Sequence, residues 1–250
     1  MFSSVQGEGP HVGHATLFVR FSECDLRCRW CDSPNTWLPS PAGRLEIARG
    51  SGEFREVENP LPLAAVIEAA EALELAAHRF VSLTGGEPLL QPRAAAELAR
   101  ALRARGPRVP LETHGQAVDA LALVVADVDV VSMDWKLGSD VRRAGRSARE
   151  PEESFHAVHE RFLGVARRAP EVVVKVVVTP RSRDEELDAM AEAVARVAPE
   201  AIVVVQPVTP FGPVKRAPDA RRLLAITARL ARRLPDVRLI PQTHKLIGAL

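Results

Sequence analysis

The sequence contains no tyrosine, only three cysteines in 250 residues, and no excess of charge of either sign. Lys and Arg together number 33 and Asp and Glu 32, which gives a formal net charge of +1. A protein whose main partner is a nucleic acid or an anionic membrane surface needs a dominant basic field. We therefore expect neither kind of partner.

Long apolar runs are also missing. A membrane-spanning helix needs roughly 18 consecutive apolar residues, and the longest candidate, residues 172–178, is interrupted by Lys175. The N-terminal segment MFSSVQGEGPHVGH has Gly, Glu and Pro where the apolar part of a signal peptide would lie. We expect a cytoplasmic protein, in which thiols stay reduced.

Hydrophobic residues make up 46 % of the chain, enough for a full-sized core, and short β-branched runs alternate with longer helical patterns. The runs predict strands over residues 15–21, 80–84, 109–113, 128–134, 172–179, 201–206 and 237–240. The helical patterns cover residues 62–79, 93–105, 117–126, 151–168, 184–197 and 218–234. Strands joined by helical crossovers pair in parallel. This order predicts an α/β fold, a partial (β/α) barrel of about six parallel strands.

The chain shows no sign of a domain boundary, so we expect one domain over residues 1–250. Residues 38–60 form a Pro-, Gly- and charge-rich insert without clear periodicity. We interpret this irregular insert as a loop or lid over the cysteine segment, or else as a disordered surface excursion.

Polar motifs follow the predicted strands at their carboxyl ends, where parallel α/β folds collect their chemistry. The cysteines follow the first strand, TGGEP the second, ETHG the third, SMDWK the fourth and QPV the sixth. We expect these motifs to meet at one site.

The three cysteines, Cys24, Cys28 and Cys31, fall within eight residues. A disulfide would leave an odd thiol and would need an oxidising compartment. A structural zinc site prefers four protein ligands, which Asp32 or a distant His would have to complete. A 4Fe–4S cluster held by three thiolates leaves one iron open for another ligand. Zinc and the iron–sulfur cluster both stay open at this point.

The C-x₃-C-x₂-C spacing, an aromatic residue before the last cysteine (Trp30) and the TGGEP element at residues 84–88 resemble the radical S-adenosylmethionine (SAM) superfamily. Further segments narrow the resemblance to the 7-carboxy-7-deazaguanine synthase family: FSSVQGEG from Phe2, FVR from Phe18, CDS from Cys31, ETHG from Glu112 and QTHK from Gln242. The match spans nearly the whole chain except the insert.

The resemblance implies a fold of the radical SAM type, a 4Fe–4S cluster, SAM and Mg²⁺. It implies that 6-carboxy-5,6,7,8-tetrahydropterin, a small pterin substrate, is contracted to 7-carboxy-7-deazaguanine with loss of ammonia, a step toward queuosine and other deazapurines. The cofactor radical does the chemistry, so no side chain is expected as acid or base. An electron donor such as a flavodoxin or ferredoxin, and a homodimer, are also implied.

The resemblance assigns roles to individual residues. Cys24, Cys28 and Cys31 hold the cluster, and Ser33, where the family more often has Thr, supplies a hydroxyl to Mg²⁺. The residues assigned to SAM are Trp30, Cys31, Asp32, Gly86, Ser132, Asp134, Lys136 and Gln206. The residues assigned to the substrate are Val5, Gln6, Gly7, Glu8, Arg20, Thr84 and His244. The role of His114 stays open.

Two other functions compete with this one. A glycyl-radical-enzyme activating protein has a similar cysteine motif, but QGEG near the start and QTHK near the end are not expected in it. A non-catalytic zinc-binding scaffold belongs to a different class. Iron and sulfide analysis separates these classes.

Overall fold

The computed structural model of the protein describes residues 1–147 and 149–249. Within them the strands are β1 (Phe2–Val5), β2 (Ala15–Phe21), β3 (Leu26–Cys28), β4 (Ala42–Glu46), β5 (Phe54–Glu58), β6 (Phe80–Gly85), β7 (Pro110–Thr113), β8 (Val130–Asp134), β9 (Val141–Arg143), β10 (Glu171–Val178), β11 (Ile202–Pro207) and β12 (Val237–Leu239). The α-helices are α1 (Leu63–Ala72), α2 (Pro92–Arg103), α3 (Val118–Val124), α4 (His156–Ala166), α5 (Asp184–Val197) and α6 (Ala220–Leu230). No helix in the described part is long and apolar enough to cross a membrane.

One large sheet organises the molecule, in the order β1-β2-β6-β7-β8-β10-β11-β12. The seven strands from β2 to β12 pair in parallel, and β1 joins β2 in antiparallel register with Val5 opposite Ala15. The predicted α/β fold is confirmed. The sequence did not predict β1, because FSSV is short and half polar and lacks strand alternation.

The core lies between the sheet and the helices on its outer face. Strand β10 reads EVVVKVVV, and its Val174, Val176 and Val178 are completely buried in this core. The amphipathic helix α2 turns Leu98 and Leu102 inward against the same layer. Burial of valines on both faces of β10 follows from its central place in a parallel sheet.

Most predicted elements are confirmed, and β2 and α5 have the predicted bounds. Helix α1 ends at Ala72, short of the predicted residue 79, because Glu74 adopts a left-handed backbone (φ 58°) that an α-helix does not accommodate. Helix α4 begins at His156, five residues later than predicted, since Phe155 is used instead to pack against Leu26 and Val141.

The interpretation of residues 38–60 as an irregular insert is wrong. Strands β4 and β5 form an antiparallel hairpin there, with Glu46 opposite Phe54. The hairpin packs beside the N-terminus: Glu46 donates its backbone N–H to Met1 O (3.0 Å), and its carboxylate accepts from Ser3 N (2.7 Å). The lid interpretation fails as well, because no described residue between 38 and 60 lines the central cavity.

Candidate active site

A cavity of about 460 Å³ opens at the carboxyl ends of the parallel strands. All the site residues predicted from the sequence line this cavity. They are Val5, Gln6, Gly7, Glu8, Arg20, Cys24, Cys28, Trp30, Cys31, Asp32, Ser33, Thr84, Gly86, Ser132, Asp134, Lys136, Gln206 and His244. The sheet therefore brings together segments that lie up to 239 residues apart in the sequence, as the strand-end rule predicts.

The cysteine segment forms one wall of the cavity. Its strand β3 pairs with β9, with Cys28 opposite Val141, and Cys31 donates its backbone N–H to Cys28 O (3.2 Å). All three thiols are free and half-buried. Burial raises the pKa of Cys24 and raises that of Cys28 to about 11. At these two positions burial opposes the thiolate form, which a bound metal cation would stabilise.

The donor set fits an iron–sulfur cluster, whose irons are held by cysteine thiolates. Each cysteine of such a cluster binds a different iron, so the sulfurs need not converge on one point. Among the described residues, no group of three His, Cys, Asp or Glu side chains is placed to hold a single metal ion. The zinc interpretation, which requires such a group, gains no support.

Lys136 and Asp134 form a charged pair beside the cysteines. Lys136 Nζ donates to Asp134 Oδ2 (2.6 Å) and lies 5.9 Å from the centre of the Trp30 ring. Burial alone would raise the pKa of Asp134, but Lys136 and Lys175 lower it to about 2. Gln206, which is 3 % exposed, lines the same cavity, and its buried Oε1 atom accepts no hydrogen bond from the described residues. This unpaired acceptor fits a ligand that carries N–H donors, such as the SAM ammonium.

Lys175 is a site residue that the sequence-based reasoning missed. It projects from the middle of β10, donates to the Glu8 carboxylate and lies 3.1 Å from Asp134 Oδ1. Although burial opposes its charge, the pKa of Lys175 is raised by Asp134 and Glu8. Burial also opposes ionisation of Glu8, but the Lys175 ammonium keeps the pKa of Glu8 below its ordinary value. A lone lysine within VVVKVVV was the available signal.

Glu112, which the sequence placed at the site only as part of the ETHG motif and without a role of its own, organises the floor of the cavity. Its Oε1 accepts from Gln6 Nε2 (3.0 Å) and Ser82 Oγ (2.7 Å), and its Oε2 accepts from Thr84 Oγ1 (2.9 Å). Gln6 Oε1 accepts in turn from the Glu8 backbone N–H (3.0 Å). Both ends of the Gln6 amide are thus held, which fixes the side chain toward the cavity.

The C-terminal segment closes the cavity where it contacts the N-terminal segment. Gln242 donates to Glu8 Oε1 (2.6 Å), and Thr243 donates its N–H to Gly7 O (2.9 Å). The QGEG motif near the N-terminus and the QTHK motif near the C-terminus are therefore in direct contact. Lys245 extends from the same segment to Asp32 (3.4 Å).

Hydroxyl and carboxylate oxygens meet near the last cysteine. Ser33 Oγ donates to Asp32 Oδ1 (3.2 Å) and accepts from Arg20 Nη1 (3.2 Å). Arg20 extends from the cavity face of β2, opposite the face on which Leu17 enters the core. The Arg20 guanidinium, the Ser33 hydroxyl and the Asp32 carboxylate therefore lie together beside the last cysteine.

Comparisons with known proteins agree with this geometry. The Radical SAM superfamily matches residues 19–196, more than half of the chain. The 7-carboxy-7-deazaguanine synthase of Geobacter sulfurreducens is 35 % identical, over 100 % of this chain and 96 % of its own length. That of Methanopyrus kandleri is 38 % identical, over 99 % of this chain and 91 % of its own. The chain belongs to the 7-carboxy-7-deazaguanine synthase family of radical SAM enzymes.

Solved structures show the same fold. A radical SAM methyltransferase from Sphaerobacter thermophilus matches with a TM-score of 0.59 at 20 % identity, over 94 % of this chain and 67 % of its own. Streptococcus suis SuiB bound to SAM matches with a TM-score of 0.53 at 13 % identity, over 90 % and 49 %. Membership of the superfamily implies a 4Fe–4S cluster and SAM, which resolves the choice left open between zinc and iron. The activating-protein alternative is not favoured by relatives that carry the synthase name.

Proposed function

We propose that this protein contracts the ring of 6-carboxy-5,6,7,8-tetrahydropterin to 7-carboxy-7-deazaguanine and releases ammonia, in the pathway to queuosine and related deazapurines. The observation that carries the proposal is the junction of two motifs in one cavity. The cysteine segment typical of a radical SAM enzyme and the QGEG and QTHK segments typical of the synthase family line the same cavity, which has a volume of about 460 Å³. That arrangement suits a small substrate beside a radical source.

The residues divide the cavity into two halves. Cys24, Cys28 and Cys31 would hold the cluster. Trp30, Asp32, Gly86, Ser132, Asp134, Lys136 and Gln206 would join Cys31 around SAM. When bound, the cluster and SAM together supply a radical that abstracts hydrogen from the substrate. Lys136 and Asp134 keep their charges while buried, so they present a fixed ion pair to the zwitterionic end of SAM.

The other half would bind the pterin. Arg20 offers a two-pronged guanidinium to the substrate carboxylate. Gln6 and Glu8 present an amide and an ionised carboxylate to the donor and acceptor edge of the ring, and both side chains are held in place before substrate arrives. Val5, Gly7, Thr84 and His244 complete the wall.

Further assignments belong to the same proposal. Mg²⁺ would bind through the Ser33 hydroxyl, supported by Asp32, because that ion prefers hard oxygen ligands. A flavodoxin or ferredoxin would supply electrons, two chains would form a homodimer, and residues 1–250 would act as one domain. The free thiols support a reducing compartment such as the cytoplasm.

The deciding experiment is an anaerobic incubation of the iron-loaded protein with SAM, dithionite, Mg²⁺ and the carboxypterin, followed by mass detection of the product. We expect the contracted ring together with released ammonia. The Cys31→Ala variant is the control and should give no product. Cleavage of SAM without formation of the contracted ring would contradict the proposed substrate. A protein that takes up no iron during anaerobic loading would contradict the reaction class.

A further inference from the structure

The backbone immediately before the first cluster-binding cysteine is strained. Glu23 has φ 75°, in the left-handed region that non-glycine residues rarely adopt. Such a conformation persists only where surrounding contacts impose it, and it is found at functional sites. Cys24 is the next residue, so whatever holds Glu23 and Asp25 on either side also fixes the direction of the Cys24 side chain.

One side of Cys24 is held by the TGGEP motif. Glu87 donates its backbone N–H to Glu23 O (2.7 Å). Gly86 makes this approach possible, because a Cβ at that position would lie 2.0 Å from the same oxygen. The strained residue is therefore fixed by backbone contacts with the end of β6.

The other side of Cys24 is held by His114, the residue whose role the sequence left open. His114 Nε2 lies 2.7 Å from Asp25 Oδ1. The Gln116 backbone N–H donates to His114 Nδ1 (3.2 Å), so the ring nitrogen that donates to Asp25 is Nε2. Asp25 is thus anchored by a directed hydrogen bond from the end of β7.

The histidine is itself rigidly placed. It is 6 % exposed, and its backbone N–H donates to Glu87 Oε2 (2.7 Å). Thr113 Oγ1 donates to Glu87 Oε1 (2.8 Å). Glu87 therefore connects both anchors of Cys24: its backbone holds Glu23, and its carboxylate holds the strand end that carries His114.

The remaining cysteine segment has anchors of its own. Leu26 to Cys28 pairs with β9, and Arg29 donates its backbone N–H to Asp140 O (3.1 Å). The backbone around Cys24 is held as well, because Ala144 donates its N–H to Asp25 O (2.7 Å) and Cys24 donates its N–H to Trp37 O (3.3 Å). The His114 contact adds a hold on the Asp25 side chain.

We propose that His114 is a positioning residue that holds Cys24, through Asp25, in the conformation that receives the cluster. This inference rests on the proposed cluster but not on the proposed substrate. It predicts that removal of the hydrogen bond alters the cluster itself, as well as turnover.

The test compares His114→Ala, His114→Gln and Asp25→Ala after anaerobic iron and sulfide loading. The readouts are the electron paramagnetic resonance spectrum of the dithionite-reduced cluster, with and without SAM, and the rate of iron loss to a chelator. We expect His114→Ala and Asp25→Ala to lose iron at least tenfold faster and to give a broadened spectrum. His114→Gln, whose amide N–H reaches the same acceptor, should restore the loss rate to within about threefold of the wild type.

The matched control is His14→Ala. His14 is exposed and precedes β2, whereas the cysteines follow that strand, so this variant should behave as the wild type. The double variant His114→Ala/Asp25→Ala should lose iron no faster than Asp25→Ala, because both changes remove the same hydrogen bond and Asp25→Ala alone also removes the contact with Arg143 (3.9 Å). If His114→Ala fails to fold, Asp25→Ala and His114→Gln decide the matter. A wild-type spectrum and loss rate in Asp25→Ala, or additive effects in the double variant, would overturn the proposal.

Discussion

At the scale of single residues, Lys175 stands out because burial opposes its charge and two carboxylates stabilise it. Its ammonium group lies between the carboxylates of Glu8 and Asp134, on a strand whose other residues from Val172 onward are all valines. Asp134 has a second cation in Lys136, whereas Glu8 has only the neutral amide of Gln242 as a further partner among the described residues. Removal of Lys175 would therefore leave Glu8 as an uncompensated charge.

The variant Lys175→Met should lower the free energy of unfolding by about 3–5 kcal/mol at pH 7.5, which is typical when one partner of a buried ion pair is removed. Without the ammonium, burial raises the pKa of Glu8 above its unfolded value. The deficit should therefore shrink as the pH falls and Glu8 takes up a proton. Urea unfolding of the cluster-free protein at pH 7.5 and 5.5 measures both effects.

The control for this change is Lys215→Met. Lys215 is exposed and forms no ion pair within the described residues, so its loss should cost less than about 0.5 kcal/mol. A deficit of equal size in both variants, or one that grows toward acid pH in Lys175→Met, would contradict the assignment of Lys175 as the counter-ion of Glu8.

At the scale of secondary structure, the sequence predicts elements whose residues follow one clear pattern. Strand β2 alternates apolar and cavity-facing residues, and α5 begins with an acidic first turn, so both were placed at their observed ends. The hairpin of β4 and β5 was missed because neither AGRLE nor FREVE alternates clearly between apolar and polar residues. Gly50 and Gly52, which have positive φ at its turn, were the available signal for a hairpin.

The same distinction, between residues inside and outside a recognisable sequence pattern, applies to the site. Residues within recognisable motifs, such as Cys24 and Lys136, could be predicted to line one cavity because each motif follows a parallel strand. Glu112 and Lys175 lie inside strands, where sequence pattern alone does not reveal which face a side chain occupies. Their partners, Gln6 and Glu8, come from the loop after β1, more than 100 residues away, and only the folded sheet brings them together.

The contact between the N-terminal and C-terminal segments depends on one glycine. A Cβ at Gly7 would lie 1.9 Å from His244 Nδ1 and 2.6 Å from its Cβ, so Gly7→Ala should displace residues 243–245. We expect trypsin to cleave after Lys245 at least tenfold faster and the carboxypterin to bind about tenfold more weakly. The control is Gly164→Ala in α4, where a Cβ meets nothing within 4 Å. Equal cleavage rates in the two variants would contradict the role of Gly7.

Helix α4 is joined to the sheet by a neutral histidine. His159 Nδ1 donates to Gly115 O (2.8 Å), and Nε2 accepts from Lys136 N (2.9 Å). Burial is the main cause that lowers the pKa of His159 to about 3. Since the unfolded chain binds this proton near pH 6.5, the contribution of His159 to stability is complete above pH 6.5 and is lost as the pH falls toward 3.

Replacement of this residue therefore has a pH-dependent cost. His159→Gln should be less stable than the wild type at pH 7.5, and the difference in unfolding free energy should narrow by about 1.3 kcal/mol at pH 5.5. Urea unfolding of both cluster-free proteins at the two pH values measures the change. A difference that stays constant or widens toward acid would show that His159 does not fold in its neutral form.

At the scale of the whole molecule, the core and the cysteine segment are separate. The main core joins β2, β6, β8, β10 and β11 to the helices, whereas Cys24 and Cys28 pack against a small group formed by Leu26, Val141 and Phe155. Because the sheet brings its own buried valines and leucines, it does not depend on the cluster for its hydrophobic stabilisation. The fold should therefore exist before the cluster is inserted.

This separation predicts that a chain with Cys24, Cys28 and Cys31 all replaced by Ala still folds. Its unfolding free energy should lie within about 2 kcal/mol of the cluster-free wild type, because the three half-buried thiols contribute little volume to the core. Val176→Ala, at a completely buried position of β10 that does not line the cavity, should cost a similar amount or more by itself. The triple variant should bind no iron and cleave no SAM. A cooperative urea transition in the iron-free triple variant would show that the sheet folds without the cluster. If neither this variant nor the cluster-free wild type gave a cooperative transition, the cluster would have to count as part of the core.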